Sequence, residues 1–156
     1  MKIDYPIYIA SDHAGYKMKK RLIRFLKNEL DIKVEDIGPT EYDAEDDFPD
    51  YIVPAAQKAV KNKGEAILLC GSGIGACIAA NKIKGMQAAF GYNIKAAETA
   101  RQHNNANGLC LAGGVLTEEH AISIVKRWLE MRGEFLGGKY QRRIDKINEL
   151  EQGLQS

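Results

Sequence analysis

The stretch "AILLCGSGIGACIAANK", residues 66–82, opens on an unbroken apolar run and then places Gly71, Gly73 and Gly75 at alternate positions. A short apolar run of this kind reads as a strand buried on both faces, as in a parallel sheet. The glycines let the backbone turn sharply and approach a ligand closely. "IGACIAANK" then opens a helix. Strand, glycine loop and helix make half of a βα crossover unit. Cys70 stands at the junction, as the last residue of the strand and the first of the loop.

Working outward, the same alternation repeats. Toward the N-terminus, "IYIAS" (7–11) reads as a strand and "GYKMKKRLIRFLKNEL" (15–30) as a helix. Met18, Leu22, Phe25 and Leu26 recur at helical spacing there, while Lys19, Lys20, Arg24 and Lys27 form a solvated face. "KVEDIG" (33–38) alternates like a second strand, and "PTEYDAEDDFPDY" (39–51) is an acidic, turn-rich loop. "YIVPAAQKAVKNK" (51–63) reads as a helix with Pro54 near its first turn, where proline is tolerated. Toward the C-terminus, "MQAAFGY" (86–92) holds a fourth strand, "IKAAETARQHN" (94–104) a helix and "GLCLAG" (108–113) a fifth strand. Thr117 is the expected N-cap of "TEEHAISIVKRWLEM", with Glu118 and Glu119 in its first turn. The tail "KYQRRIDKINELEQ" (139–152) carries Tyr140, Ile144 and Ile147 on one stripe of a last helix. Strands separated by helices imply parallel crossovers covered on both faces. The expected fold is a three-layer α/β/α sandwich with a five-stranded parallel sheet and a C-terminal helix.

The 156 residues fit a single domain spanning 1–156. Lys and Arg number 22 against 21 Asp and Glu, so the balance offers no footprint for nucleic acid or an anionic membrane. No apolar run approaches the ~20 residues of a membrane span. The start, "MKIDYPIYIASDHAG", is broken by charge too soon to read as a signal peptide. Three cysteines without a CxxC pair suggest neither a disulfide framework nor a zinc ribbon, and free thiols fit a reducing cytoplasm. No metal-ligand set stands out.

Ligands of open parallel sheets bind beyond the carboxyl ends of the strands. Three polar clusters are candidates: "SDHAG" (11–15), "CGSGIG" (70–75) and "RQHNN" (101–105). A site requires them to converge at one edge. In the glycine loop, free N–H groups at the helix start favour a thiolate at Cys70 and offer a hole for a developing oxyanion. The loop is not GxGxxG and lacks the closing Gly-Lys-Ser/Thr of a P-loop, which weakens a nucleotide reading. Each cluster also has a bland reading: a strand-end cysteine beside a tight turn, a helix cap at Asp12 and His13, a polar helix end at His103 and Asn104. Together they hold a thiol, a carboxylate, imidazoles and amides, the inventory for moving protons beside a carbonyl.

The ordered combination of "SDHAG", "DFPDY", "CGSGIG", "AANK", "RQHNN" and a late GG-x-x-Q-x-R, from Ile7 to about Ile147, resembles the ribose-5-phosphate isomerase B family, which includes the galactose-6-phosphate isomerase subunits. The resemblance implies a Rossmann-like sandwich, no cofactor, a sugar-phosphate substrate, and a homodimer or dimer of dimers with a shared active site. It assigns Cys70 as the base that takes the proton from carbon 2 of the open-chain aldose. Ser72 stands near the reacting oxygens, and the amides of Gly71, Gly73, Ile74 and Gly75 stabilise the enediolate. His103 helps to open the sugar ring, and Asp12 serves the sugar hydroxyls. His13, Asp47 and Asn104 are ligand contacts. The tail helix crosses to the partner, where Lys139 and Arg143 clamp the phosphate. Cys77 and Cys110 match no catalytic position. Phe48, Gly114, Lys139 and Tyr140 stand where the family often has Tyr, Arg, Arg and His. Ribose 5-phosphate is therefore the first expectation. The alternatives are a tetrose or hexose phosphate such as galactose 6-phosphate, a non-catalytic sugar-phosphate-binding subunit, and a nucleotide-binding module.

Overall fold

The computed structural model describes residues 2–153, so Met1 and residues 154–156 of the expected domain lie outside the described residues. Five parallel strands form one sheet in the order β2-β1-β3-β5-β4, with β1 Ile7–Ser11, β2 Val34–Gly38, β3 Glu65–Cys70, β4 Ala88–Phe90 and β5 Gly108–Ala112. The helices are α1 Tyr16–Arg24, α2 Pro49–Lys61, α3 Ile74–Ala80, α4 Ile94–Asn104, α5 Glu118–Glu130 and α6 Lys139–Gly153. The five-stranded α/β/α expectation holds. Among the described residues no helix is long and apolar enough to cross a membrane.

The period-two alternation of the strands sorts the core into two layers. Ile7, Ile9, Ile67, Leu69, Leu109 and Leu111 point to one face, where Leu22, Ala97 and Trp128 of α1, α4 and α5 cover them. Tyr8, Ala10, Ala66, Leu68, Cys70 and Cys110 point to the other, under Ile52 and Ala56 of α2 and Ala76 of α3. Thr117 caps α5 as expected, its hydroxyl accepting from the His120 N–H.

Two local readings change. Helix α2 begins at Pro49, so Pro54 lies inside it rather than near its first turn. The helix starts earlier because Pro49 already has the φ that a first helical position needs. Lys19 is not on the solvated face. It is fully buried, with Nζ 2.7 Å from Asp36 Oδ1 and 2.6 Å from the Pro39 carbonyl, so its charge is answered from β2 and the turn beyond it.

At the amino edge of the sheet a second buried charge cluster ties three elements together. Glu65, the first residue of β3, meets Arg101 of α4 at 2.8 Å and Arg132, which follows α5. Arg101 also donates to the Trp128 and Ala106 carbonyls and lies 3.6 Å from the Trp128 ring centroid. Burial pushes the Glu65 carboxyl up, but the two guanidiniums outweigh it and hold it below the ordinary range. A depressed carboxylate stabilises the fold above its unfolded value and loses that contribution as the pH falls through the folded one. Glu65→Ala leaves Arg101 buried without its partner and should lower the unfolding free energy by about 3–5 kcal/mol. In urea titrations at neutral pH and at pH ~3, the deficit relative to wild type should shrink on acidification. An equal deficit at both would rule out an ionised Glu65.

Candidate active site

Strand β1 lies between β2 and β3, and the chain passes from one side of it to the other. The crevice between the carboxyl ends of β1 and β3 is therefore the switch point where such sheets bind ligands. Cys70 ends β3 there, and Asp12 and His13 follow β1. Backbones approach unusually closely at this place. A Cβ on Gly15 would lie 2.8 Å from Leu69 Cβ, one on Gly113 2.8 Å from Gly15 Cα, and one on Gly71 3.2 Å from Ala14 Cβ. The loops after β1, β3 and β5 thus lie directly on one another.

Backbone bonds fix the thiol. The N–H groups of Gly113 and Gly114 donate to the carbonyls of Cys70 and Gly71 at 2.8 and 2.9 Å. Gly73, at φ +75°, turns its N–H onto Cys70 Sγ at 3.1 Å. The Ile74 N–H is held by Ser72 Oγ at 3.2 Å. Two of the expected oxyanion amides, Gly73 and Ile74, are thus already engaged with Cys70 and Ser72. Gly73 and Cys70 are buried, whereas Ser72 and Ile74 are exposed. Helix α3 spans seven residues, so the direct Gly73 contact, more than any helix dipole, acts on the thiol.

Asp12 is buried, and its Oδ1 accepts from the Gly15 N–H at 3.1 Å, so the helix-cap reading holds for that oxygen. His13 is bound by Asp46: Oδ1 accepts from the His13 backbone N–H at 2.9 Å and from ring Nδ1 at 2.7 Å. Asp47, the carboxylate expected here, is exposed on the surface one residue further on. Asp46 was not singled out from the sequence, because six acidic residues share the stretch 39–51 and nothing in their spacing separates them. Asp12, His13 and Asp46 bring ligand-type atoms within 4.8 Å of one another, but hydrogen bonds inside the group already engage Oδ1 of Asp46 and Nδ1 of His13. Phe48 lies over the loop, its ring 2.8 Å from where a Gly75 Cβ would stand.

The "RQHNN" cluster does not join this group within one chain. Helix α4 runs back from the carboxyl end of β4 to the amino end of β5, as any parallel crossover must. Arg101 accordingly bonds to Glu65 at the start of β3, while Cys70 ends that strand, roughly 17 Å away at strand rise. His103 and Asn104 therefore belong to the opposite edge. There His103 stacks on Tyr140 with centroids 4.2 Å apart and planes 9° from parallel. Lys139 Nζ and Arg143 Cζ lie 5.3 and 5.6 Å from the Tyr140 centroid. Helix α6 is docked on its own α4 through this stack and buried Ile144, leaving Ile147 and Leu150 exposed. A single chain thus presents two groups: the thiol with Asp12, His13 and Ser72, and the imidazole His103 with Lys139 and Arg143. Cys110 is buried in the core layer beneath α3, and Cys77, on α3 itself, is half-buried against that layer.

A doubly wound sheet with a thiol, a carboxylate and an imidazole at its switch point is the layout of an α/β enzyme acting on a small polar molecule. The chain belongs to the Ribose/Galactose Isomerase family, whose pattern matches residues 7–147, and it is an isomerase. The probable ribose-5-phosphate isomerase B of Mycoplasma genitalium is 46% identical over 151 residues, 96% of this chain and 97% of the relative. Ribose-5-phosphate isomerase B of Mycobacterium tuberculosis is 38% identical over 146 residues, 93% of this chain and 89% of the relative. The crystal structure of the Mycoplasma genitalium ribose-5-phosphate isomerase B with bound ribulose-5-phosphate superposes with a TM-score of 0.90 at 44% identity, covering 97% of this chain and 99% of that one. The resemblance read from the motifs is borne out.

The glycine loop tolerates little. A Cβ on Gly73 would meet Phe90 Cε2 at 2.6 Å and the Leu111–Ala112 backbone at 3.0–3.1 Å, at a φ that L-residues avoid. Gly73→Ala should destabilise the chain by about 2 kcal/mol or more. The check is the urea midpoint; an unchanged midpoint would show that the loop is not held as described.

Proposed function

We propose that the chain interconverts an aldose phosphate and a ketose phosphate without a cofactor, with D-ribose 5-phosphate and D-ribulose 5-phosphate as its pair. The observation that carries this is the thiol of Cys70, buried at the switch point with a backbone N–H aimed at its sulfur. As a thiolate it takes the proton from carbon 2 of the open-chain aldose. The electron pair moves into an enediolate, whose oxygens are met by Ser72 and by loop amides. A proton passes from oxygen 2 to oxygen 1, and return of the proton from Cys70 to carbon 1 gives the ketose. Asp12 serves the sugar hydroxyls. The ribose assignment follows the relatives' names. Gly114 and Phe48, where the family often has Arg and Tyr, favour a panel that also contains tetrose and hexose phosphates. Arginine at 114 has room only if the Gly71 carbonyl oxygen, 3.1 Å from the new Cβ, gives way by a few tenths of an ångström. Free thiols at Cys70, Cys77 and Cys110 fit a reducing cytoplasm.

A complete site needs a second copy. His103, Lys139 and Arg143 carry the ring-opening imidazole and the phosphate cations, yet they sit at the far edge from Cys70. The exposed side chains Ile74, Ile78, Phe90, Tyr92 and Ile94 form an apolar face bordering the Cys70 loop, and Phe90 is the ring that a Cβ on Gly73 would strike. A second copy seated on this face brings its own His103 end to the thiol, giving a homodimer with two composite sites, or a dimer of such dimers.

Cys70→Ala should lower turnover of D-ribose 5-phosphate by at least ~10²-fold with the fold intact by circular dichroism. More than about a tenth of wild-type turnover would remove Cys70 as the base. His103→Asn should be similarly poor on this ring-forming substrate. Mixing the two inactive variants in equal amounts, with subunit exchange, should restore up to roughly a quarter of wild-type activity, because one mixed dimer carries one intact composite site. No recovery after verified exchange would place both residues in one chain's site.

A further inference from the structure

We propose that Asp46 is a positioning residue for His13: it fixes the imidazole with Nδ1–H turned inward and Nε2–H turned out as the donor to the anionic group of the substrate. This rests on the sugar-phosphate reading of the site. A carboxylate only accepts, so the ring nitrogen 2.7 Å from Asp46 Oδ1 carries the hydrogen. The same oxygen takes the His13 backbone N–H, which locks main chain and ring to one acceptor. The Asp46 side chain is 4% exposed, and its Oδ2 is buried with no hydrogen-bond partner among the described residues. A buried carboxylate with one bare oxygen calls for a neighbouring positive charge. The His13 ring, whose side chain is 35% exposed, is placed to supply it.

The surroundings make that charge useful. The groups facing His13 are Asp46 and Glu45 from the loop before α2, Asp12 from the turn after β1, and the edge of the Tyr42 ring. Tyr51 of α2 faces Asp46, with Asp43 and Asp50 near it. Such an acidic rim repels a phosphorylated sugar, and Gly114 contributes no guanidinium. His13, when protonated, places a cation within this acidic rim. Its affinity for the proton is raised first by the Asp46 hydrogen bond, with Asp12 and Glu45 adding to it and burial opposing. A second charge-bearing donor on the Cys70 side complements Lys139 and Arg143 on the other.

The test uses the full chain with His13→Asn, Asp46→Asn and the double variant. Asparagine keeps the size and one acceptor of Asp46 but removes its charge. First, the His13 ring is titrated by ¹H–¹⁵N NMR with and without inorganic phosphate. In wild type, Nδ1 should stay protonated and Nε2 should shift on adding phosphate. In Asp46→Asn the His13 titration should move to lower pH and the phosphate response weaken. Second, KM and kcat for D-ribose 5-phosphate are followed against pH. Asp46→Asn should raise KM about tenfold near pH 7.5 with kcat within a few-fold, the rise in KM beginning at lower pH than in wild type. In the His13→Asn background, Asp46→Asn should change KM less than about twofold. An unmoved His13 titration, or an equal KM penalty in the His13→Asn background, overturns the proposal. If wild type turns over no sugar phosphate, the functional reading fails by itself, and the NMR titration with phosphate still decides whether Asp46 sets the state of His13.

Discussion

The structure depends on a place where three pieces of backbone meet with no room for a side chain. The turn after β1, the loop after β3 and the loop after β5 touch through Gly15, Gly71 and Gly113, and a single Cβ at Gly15 or Gly113 would lie 2.8 Å from its neighbour. Parallel strands bring their carboxyl ends to one edge whatever their sequences. The glycines there turn proximity into contact. Asp12 and His13 are carried on the first piece and Cys70 on the second, so side chains far apart in sequence share one crevice.

The opposite edge is organised by charge instead. Glu65 gathers Arg101 and Arg132 beneath the sheet, and Arg101 grips the turn that leads into β5. The same two residues that anchor α4 also determine where its last turn points. His103 follows Arg101 by half a turn of helix, and Tyr140 stacks on it with α6 behind. One edge is therefore shaped by the absence of side chains and the other by an ion cluster, with a hydrophobic sheet between them.

Much of this was legible in the sequence. Alternating apolar runs and helical stripes gave the five strands, and the Gly71–Gly73–Gly75 spacing marked the loop that holds Cys70, because periodicity and glycine geometry are local properties. What escaped the sequence was pairing across the fold. Lys19 looked solvated until Asp36 proved to lie beside it on β2. Asp46 could not be told from Asp47 because which carboxylate faces His13 depends on how the loop folds back. "RQHNN" does not meet the other clusters within one chain for a topological reason: it ends a helix, and in a parallel crossover a helix ends at the edge from which the strands start.

The bonds that place Cys70 run from backbone to backbone, or from backbone to the sulfur itself. The carbonyls of Cys70 and Gly71 are held by the amides of Gly113 and Gly114, and the thiol by the amide of Gly73. Phe48 and Lys139 make none of these bonds, whereas the Gly114 amide is one of them. A substitution at Phe48 or Lys139 can therefore change what surrounds the thiol without touching the backbone bonds that hold it, whereas one at Gly114 acts on those bonds directly.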